Sequence, residues 1–379
     1  MSTNYDVAVL GAGIVGAACA LECVRAGISV VVIERDTVAN GATGAAMGHV
    51  VVMDDSPAQF ALTTYSQSLW SALASELPAS VEYYRPGTIW IAADEDEMAE
   101  VRRKFVDYTG HGISCETLDS NALADAEPNL RRPVNGGLLV ANDAVLNPLN
   151  AAHYLIDQAQ KLGARLMTGH AVTSASHGGV QLDNGDVLRA AYIINAAGAL
   201  ASALTLGIPI KKRKGHLILT DRYPGYVNHQ LVELGYLKSA HSSTADSVAF
   251  NIQPRINGQL LIGSSRQYGA EESGVNAHII QSMMERAALY MPGLPSLTAL
   301  RSWAGFRAAT PDKLPLIGPT EDPTLFLATG HEGLGITTSL GTARLLVDHL
   351  LARGSEIPID PYLPSRITSM QAPTLQEAR

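Results

Sequence analysis

Cysteine is scarce in this chain: only Cys19, Cys23 and Cys115 occur among 379 residues. Three are too few for a disulfide-stapled scaffold. They also fall short of the four ligands that an ordinary iron–sulfur cluster or Cys₄ zinc site takes, so any redox centre must be held another way and no metal site is expected. Positive charge is in deficit too, with 27 Lys and Arg against 36 Asp and Glu for a net −9. That balance argues against a nucleic-acid binder. Internal repeats and low-complexity linkers are lacking, so the domains are expected to be interleaved rather than strung in series. The start, Met-Ser-Thr-Asn-Tyr-Asp, lacks a basic segment followed by an apolar one, which predicts no secretory leader and a cytoplasmic chain. Residues 190–210 lack charge and are long enough to span a bilayer, but Asn195, Gly198, Ser202, Gly207 and Pro209 interrupt them. A strand, a turn and a helix are expected there, with no transmembrane segment.

What is present points to a globular protein with a large core, at 46% apolar and 17% charged residues. Its length suits about two domains at roughly 100–200 residues each. Glycine, 34 of 379, runs above the usual level of about 7% without any period. The YDVAVL run at 5–10 reads as a buried parallel strand, a small-residue helix follows from Ile14 to about Ala26, and SVVVI at 29–33 gives a second strand. Ser56-Pro57 opens a long helix in a glycine-free stretch, and Asn147-Pro148 opens another. Alternation around Asp183-Asn184-Gly185-Asp186 predicts antiparallel strands, QLLIGSS at 259–265 predicts another, and a helix is expected over Thr338–Arg353. Lys211-Lys212-Arg213-Lys214 reads as a solvated loop, with an anion or subunit contact as the sharper alternative. Cys19 and Cys23 read as small core residues.

The strongest motif is Gly11-Ala12-Gly13-Ile14-Val15-Gly16, set between strand and helix, with Glu34 at the end of the second strand. The first glycine makes the tight turn, the second lets backbone approach a pyrophosphate, and the third lets helix and strand pack closely. A helix N-terminus then presents free N–H groups to phosphate, and Glu34 suits a ribose hydroxyl. The motif alone leaves FAD and NAD open.

A second small-residue loop, Gly41 to His49, follows closely. Its spacing after Glu34-Arg35 resembles the flavin loop of the D-amino-acid oxidase and glycine oxidase (DAO) superfamily. It departs from that pattern at Ala45-Ala46, where Arg-Asn is common, and at His49, where a second glycine is common. Tyr192 to Gly198, Ile208-Pro209, Lys214-Gly215-His216, Trp303 to Arg307, Thr310-Pro311-Asp312, Leu314 to Pro319 and Ala328 to Ile336 extend the resemblance across the whole chain. Within the superfamily, Met47-Gly48-His49 before VVVMDDSP is most similar to the β subunit of hetero-oligomeric D-hydroxyproline dehydrogenase. Opine oxidase, dye-linked proline dehydrogenase and hydrogen cyanide synthase subunits are related to it.

The resemblance implies an α/β fold: a Rossmann-like FAD-binding domain (1–85, 147–211 and 300–379) interleaved with an α+β substrate domain (86–146 and 212–299) that carries a large mixed or antiparallel sheet. It implies non-covalent FAD held by Gly11, Gly13, Ile14, Val15, Gly16, Glu34, Arg35, Thr43, Gly44, Ala46, Met47, Gly48, Val172, Ala197, Gly198, Gly305, Gly333, Leu334, Gly335, Ile336 and Thr337. Hydride would pass from the carbon beside a substrate amine to flavin N5, giving an imine. Arg307 stands where the family pairs an arginine with a substrate carboxylate. His49 would accept an amine proton or polarise the ring, and His331 and Glu332 stand at the turn beside the flavin. Where several relatives use a tyrosine two residues before a strand proline, this chain has Asn251 before Pro254, so a tyrosine contact is not implied. The implied substrate is a small amino acid or secondary amine, D-hydroxyproline or D-proline first. Without cysteines for a cluster, electrons would leave to other subunits carrying FMN or iron–sulfur centres, or to another acceptor. An oxidase using O₂ directly and a non-catalytic flavoprotein subunit are the alternatives.

Overall fold

The computed structural model describes residues 4–235 and 246–367. Met1-Ser2-Thr3, used in reading the chain start, and residues 236–245, within the strand-rich stretch, lie outside the described residues.

Two eight-stranded sheets carry the molecule. In the first, Asn4–Leu10 lies between Val30–Glu34 and Val187–Asn195, both parallel to it. Arg165–Thr168 and Leu325–Thr329 extend this parallel core outward, and Leu316–Pro319 closes one edge antiparallel. Residues 7–10 are buried on both faces, which is why the first strand reads as a continuous apolar run rather than an alternating one. Helix Ile14–Arg25 covers this sheet and packs against Pro148–Lys161 and Gly335–Leu350. Its buried face is built of Ala17, Ala18, Cys19, Ala20 and Cys23, small enough for close approach. Burial pushes the Cys23 thiol up to about 12 and that of Cys19 well above its ordinary value, so both are inert core residues.

The second sheet runs, in order, Ala299–Ala309, Lys211–Arg222, Gln259–Tyr268, Ser247–Pro254, Gln230–Glu233, Thr88–Ala92, Gly136–Val140 and Cys115–Asp119. All neighbours are antiparallel except Gln230–Glu233 beside Thr88–Ala92. One face buries Ile218, Phe250, Ile252 and Ile262 under helix Ala277–Tyr290, leaving the other face toward the glycine loops. The strands of the two sheets alternate along the chain, which gives the interleaved α/β architecture. Strand Ala299–Ala309, grouped with the first unit by the sequence, bonds wholly within the second sheet.

Helix Pro57–Leu73 is capped by Ser56 and helix Pro148–Lys161 by Asn147, each side chain accepting from a first-turn amide. Three readings need correction. Lys211–Lys214 is not a solvated loop: it opens an interior strand paired on both sides, with Lys214 buried. Four consecutive like charges hide the strand, because no apolar–polar alternation shows within them. The final helix starts at Gly335, not Thr338, so the glycine-rich turn supplies its first turn. The helix expected late in 190–210 is one turn, Ala201–Leu204, after strand Val187–Asn195. No helix among the described residues is long and apolar enough to cross a membrane.

Candidate active site

The first strand delivers Gly11 at φ +103°, where a Cβ would stand 2.8 Å from the Ala196 carbonyl oxygen. At Gly16 a Cβ would meet the Gly11 carbonyl at 2.0 Å, so only glycine lets the helix begin this close to the strand. Gly13 caps helix Ile14–Arg25 without a side-chain bond and without an acid in the first turn, and Val15 is buried in that turn. No acidic side chain of the helix's own first turn faces the positive end of its dipole. Thr43 reaches in from the second loop, its hydroxyl accepting from the Ile14 amide at 3.0 Å.

Glu34 ends its strand with one carboxylate oxygen accepting from Ala12 N at 2.8 Å and the other from Asp36 N at 3.0 Å. Arg35 turns outward to an exposed pair with Asp36. Val172 begins the strand beyond His170, whose amide donates to the Glu34 carbonyl. Ala197 and Gly198 follow the central strand, with Asn195 Oδ1 accepting from Ala197 N. This cradle fits FAD: a helix start whose Gly13 supplies no side-chain cap, glycines a Cβ would close, and an acid at the strand end stand in one line.

The second loop joins the two sheets. Gly44 and Ala46 fold it, Gly44 N donating to the Ala39 carbonyl. Ala45 sits on Gly305, where a Cβ would come within 2.4 Å of its own, and its carbonyl accepts from Trp303 Nε1. Met47 accepts through its carbonyl from Gln253 Nε2 at 2.9 Å. Gly48, at φ +100°, turns the chain so that His49 faces the second sheet. Thr337, in the first turn of the last helix, donates to the His49 carbonyl at 2.9 Å and accepts from Val51 N at 3.3 Å. That helix, preceded by Gly333 and Leu334 and opening at Gly335 and Ile336, has no side-chain cap and no acid in its first turn. A second positive helix end is thereby aimed at the His49 loop.

His49 is held neutral. Burial drives its pKa down to about 4 and the nearby Arg307 charge adds to this, while contacts from Gln253 and Gln230 oppose it. Gln230 Nε2 lies 3.0 Å from His49 Nδ1. Arg307 lies across Gly215, where a Cβ would meet its Nη1 at 2.3 Å, and a Cβ on Gly333 would stand 3.5 Å from its Nε. Its Nη1 donates to the Ser265 carbonyl at 3.0 Å. Glycines on two elements thus clear the arginine's path to Ser265.

Glu332, at φ +51°, accepts from Arg213 Nη1 at 2.9 Å, and the Arg213 guanidinium stacks 4.6 Å from the Tyr268 ring. Burial raises the Glu332 pKa against the pull of Arg213 and Arg307. His331 packs against the last helix, with Nε2 3.0 Å from Thr342 Oγ1 and burial lowering its pKa to about 3. The structure therefore puts the Arg307 charge within electrostatic reach of His49, gives Glu332 an arginine partner, and places His331 behind the turn. The amides of Gln230 and Gln253 were missed from the sequence. Their signal was present: polar residues at in-phase positions of otherwise apolar strands.

His331 gives a pH prediction. Its folded-state pKa lies below the unfolded value of 6.5, so the unfolded chain binds more protons and stability is lost as pH falls from 6.5 toward 3. His49 acts in the same direction, whereas buried Asp143, raised to about 7, acts oppositely. Comparing variants isolates the histidine: His331→Gln is expected to narrow the drop in Tm between pH 7 and pH 4. An unchanged drop in thermal melts would refute the assignment.

Comparison with known proteins agrees with this geometry. The chain is 27% identical over 420 residues to hydrogen cyanide synthase subunit HcnC of Pseudomonas aeruginosa, covering 97% of each. It superposes on glycine oxidase from Geobacillus kaustophilus with a TM-score of 0.86 at 25% identity, over 96% of this chain and 99% of that one. L-proline dehydrogenase from P. horikoshii shares the fold at a TM-score of 0.88 and 20% identity, over 98% and 99% of the two chains. A family model described as DAO, FAD dependent oxidoreductase, matches residues 6–349, which take in both the glycine cradle and the strand bearing Arg307. The chain therefore belongs to the DAO family of FAD-dependent oxidoreductases, enzymes that act on the C–N bonds of amino acids and amines.

Proposed function

We propose that this enzyme is a dehydrogenase of a small cyclic or secondary amino acid, D-hydroxyproline or D-proline before others. The observation that carries the reading is Arg307, seated over Gly215 and Gly333 just before the uncapped last helix and within electrostatic reach of a neutral His49. Bound FAD supplies the hydride acceptor. Arg307 takes the substrate carboxylate in a two-pronged contact and so fixes the α-carbon. His49, neutral at physiological pH, adds no positive charge beside the amine, which must lose its proton before the C–N bond becomes an imine. Glu332 holds Arg213, and His331 braces the turn from behind.

Residues Gly11 to Gly16, Glu34 and Thr43 to Gly48 hold the cofactor from the first sheet, with Ala197, Gly198 and the 333–337 turn completing it. Electrons leave to a partner subunit or another acceptor, a reading supported by the relative named as a synthase subunit. The chain works in the cytoplasm on this reading.

The test is anaerobic bleaching of the flavin in purified protein by D-proline, 4-hydroxy-D-proline, sarcosine, glycine and opines. Bleaching by a cyclic amino acid, with slow recovery in air and fast recovery with an artificial acceptor, is expected. Fast recovery in air identifies an oxidase, and no bleaching by any of them overturns the proposal.

A further inference from the structure

The face of the second sheet that meets the His49 loop carries a cluster of unsatisfied acceptors. Gln230 Oε1, Asn251 Oδ1 and Gln253 Oε1 are buried with no aligned hydrogen-bond partner, and their residues are 2%, 8% and 1% exposed. Nitrogen ends of two of these amides are committed, Gln230 Nε2 to His49 and Gln253 Nε2 to the Met47 carbonyl. Their oxygens are thereby turned to accept, and each carbonyl has two lone pairs, so the His49 contact leaves capacity at both glutamines. Native interiors seldom leave such groups unpaired.

Register fixes where this cluster lies. Asn251 stands opposite Gly263, beside which Met47 packs, and Gln253 stands opposite Leu261, in the same cluster as Met47 and Leu217. Arg307 donates to Ser265 on the strand next to that of Asn251 and Gln253. Asn251 is thus one strand across and two residues along from Ser265, a backbone separation of about 8 Å, and Gln253 lies two residues farther along the same strand. A small amino acid bound by its carboxylate at Arg307 spans that gap with its far end.

We propose that Gln230, Asn251 and Gln253 form a subsite for an uncharged hydrogen-bond donor, a hydroxyl, on the end of the substrate distal to its carboxylate. This rests on the amino-acid dehydrogenase reading above and selects among its substrates. A second carboxylate, as in an opine, brings only acceptors to a wall of acceptors and is disfavoured. An ammonium there finds no carboxylate on this face of the two strands: Glu233 points to the opposite face, bound to Arg286 and Tyr290. A hydroxyl donates to one amide oxygen and brings no charge to be buried.

The test uses the FAD-loaded enzyme and two readouts. First, kcat/KM with an artificial acceptor is compared between 4-hydroxy-D-proline and D-proline, and between serine and alanine. The hydroxylated member is expected to be favoured by about tenfold or more, because a site built to bond a hydroxyl discriminates strongly against its absence. Asn251→Leu, which replaces the unpartnered acceptor with an apolar side chain of similar size, is expected to shrink the ratio through loss of kcat/KM for the hydroxylated substrate, and a ratio as large as the parent's overturns the subsite. Second, calorimetric binding of cyclopentanecarboxylate and its 3-hydroxy derivative, neither carrying an amine to oxidise, is expected to show the same preference. Oxidation of both members at equal kcat/KM, or equal binding of the two acids, overturns the subsite while leaving the dehydrogenase reading intact. Absence of flavin bleaching by every amino acid overturns both.

Discussion

Arg307→Ala is expected to raise the KM for the amino-acid substrate by about 10²–10⁴-fold, with kcat changed far less and the flavin spectrum unaltered. Removing one partner of a desolvated charge pair costs about 3–5 kcal/mol, which sets that scale. The loss falls mainly on KM because the carboxylate is held equally in ground and transition states. Arg307→Lys keeps the charge but not the planar fork, and Lys cannot follow the path over Gly215 that brings Nη1 to Ser265. It is therefore expected to recover only part of the loss. Steady-state kinetics with an artificial acceptor check both variants. A KM within about threefold of the parent for Arg307→Ala would sink the carboxylate assignment, since even an exposed pair contributes up to about 1 kcal/mol.

The neutral His49 sharpens this expectation. With Arg307 close by and burial holding its pKa near 4, the ring carries no charge that could replace the guanidinium in the variant. Rescue by added guanidinium salts would then depend on space over Gly215 and Gly333, which the shortened side chain leaves open.

The glycine cradle was legible in the sequence because its constraint is local. Gly11, Gly13 and Gly16 each answer a backbone requirement within one strand–turn–helix unit, and Glu34 ends the next strand. Arg307 was legible only through the family resemblance, for nothing near residue 307 reveals that it lies over Gly215 from a neighbouring strand. The acceptor wall was harder still. Gln230 and Gln253 approach His49 from positions 181 and 204 residues away, along strands whose register no local signal gives. The run Lys211–Lys214 failed for a related reason: charges were read as exposure, while pairing with two strands buries Lys214 and sets Arg213 between Glu332 and Tyr268. Local chemistry predicts turns and caps, and long-range pairing decides which polar residues face one another.

Gly16→Ala is expected to cost the enzyme its cofactor, while Gly41→Ala is expected to be silent. A Cβ at Gly16 would stand 2.0 Å from the Gly11 carbonyl oxygen and 3.4 Å from the Ala196 methyl. Both are firm neighbours, one of them backbone, so helix Ile14–Arg25 must move away from the strand. That helix also packs against Pro148–Lys161 and Gly335–Leu350 through small buried residues, so its displacement disturbs two further contacts. Overpacking of this kind costs typically 1–3 kcal/mol and occasionally more. Moving the helix start also pulls its free amides from the phosphates, so the loss in flavin affinity should exceed the loss in stability. Gly41, on the next loop, has nothing within 4 Å of its Cβ position and lies outside the left-handed region. Flavin content of the purified variants, from the visible absorbance relative to that of the protein, and Tm with and without added FAD check the pair. Full flavin content in Gly16→Ala would show that the helix start does not need its close approach to the first strand.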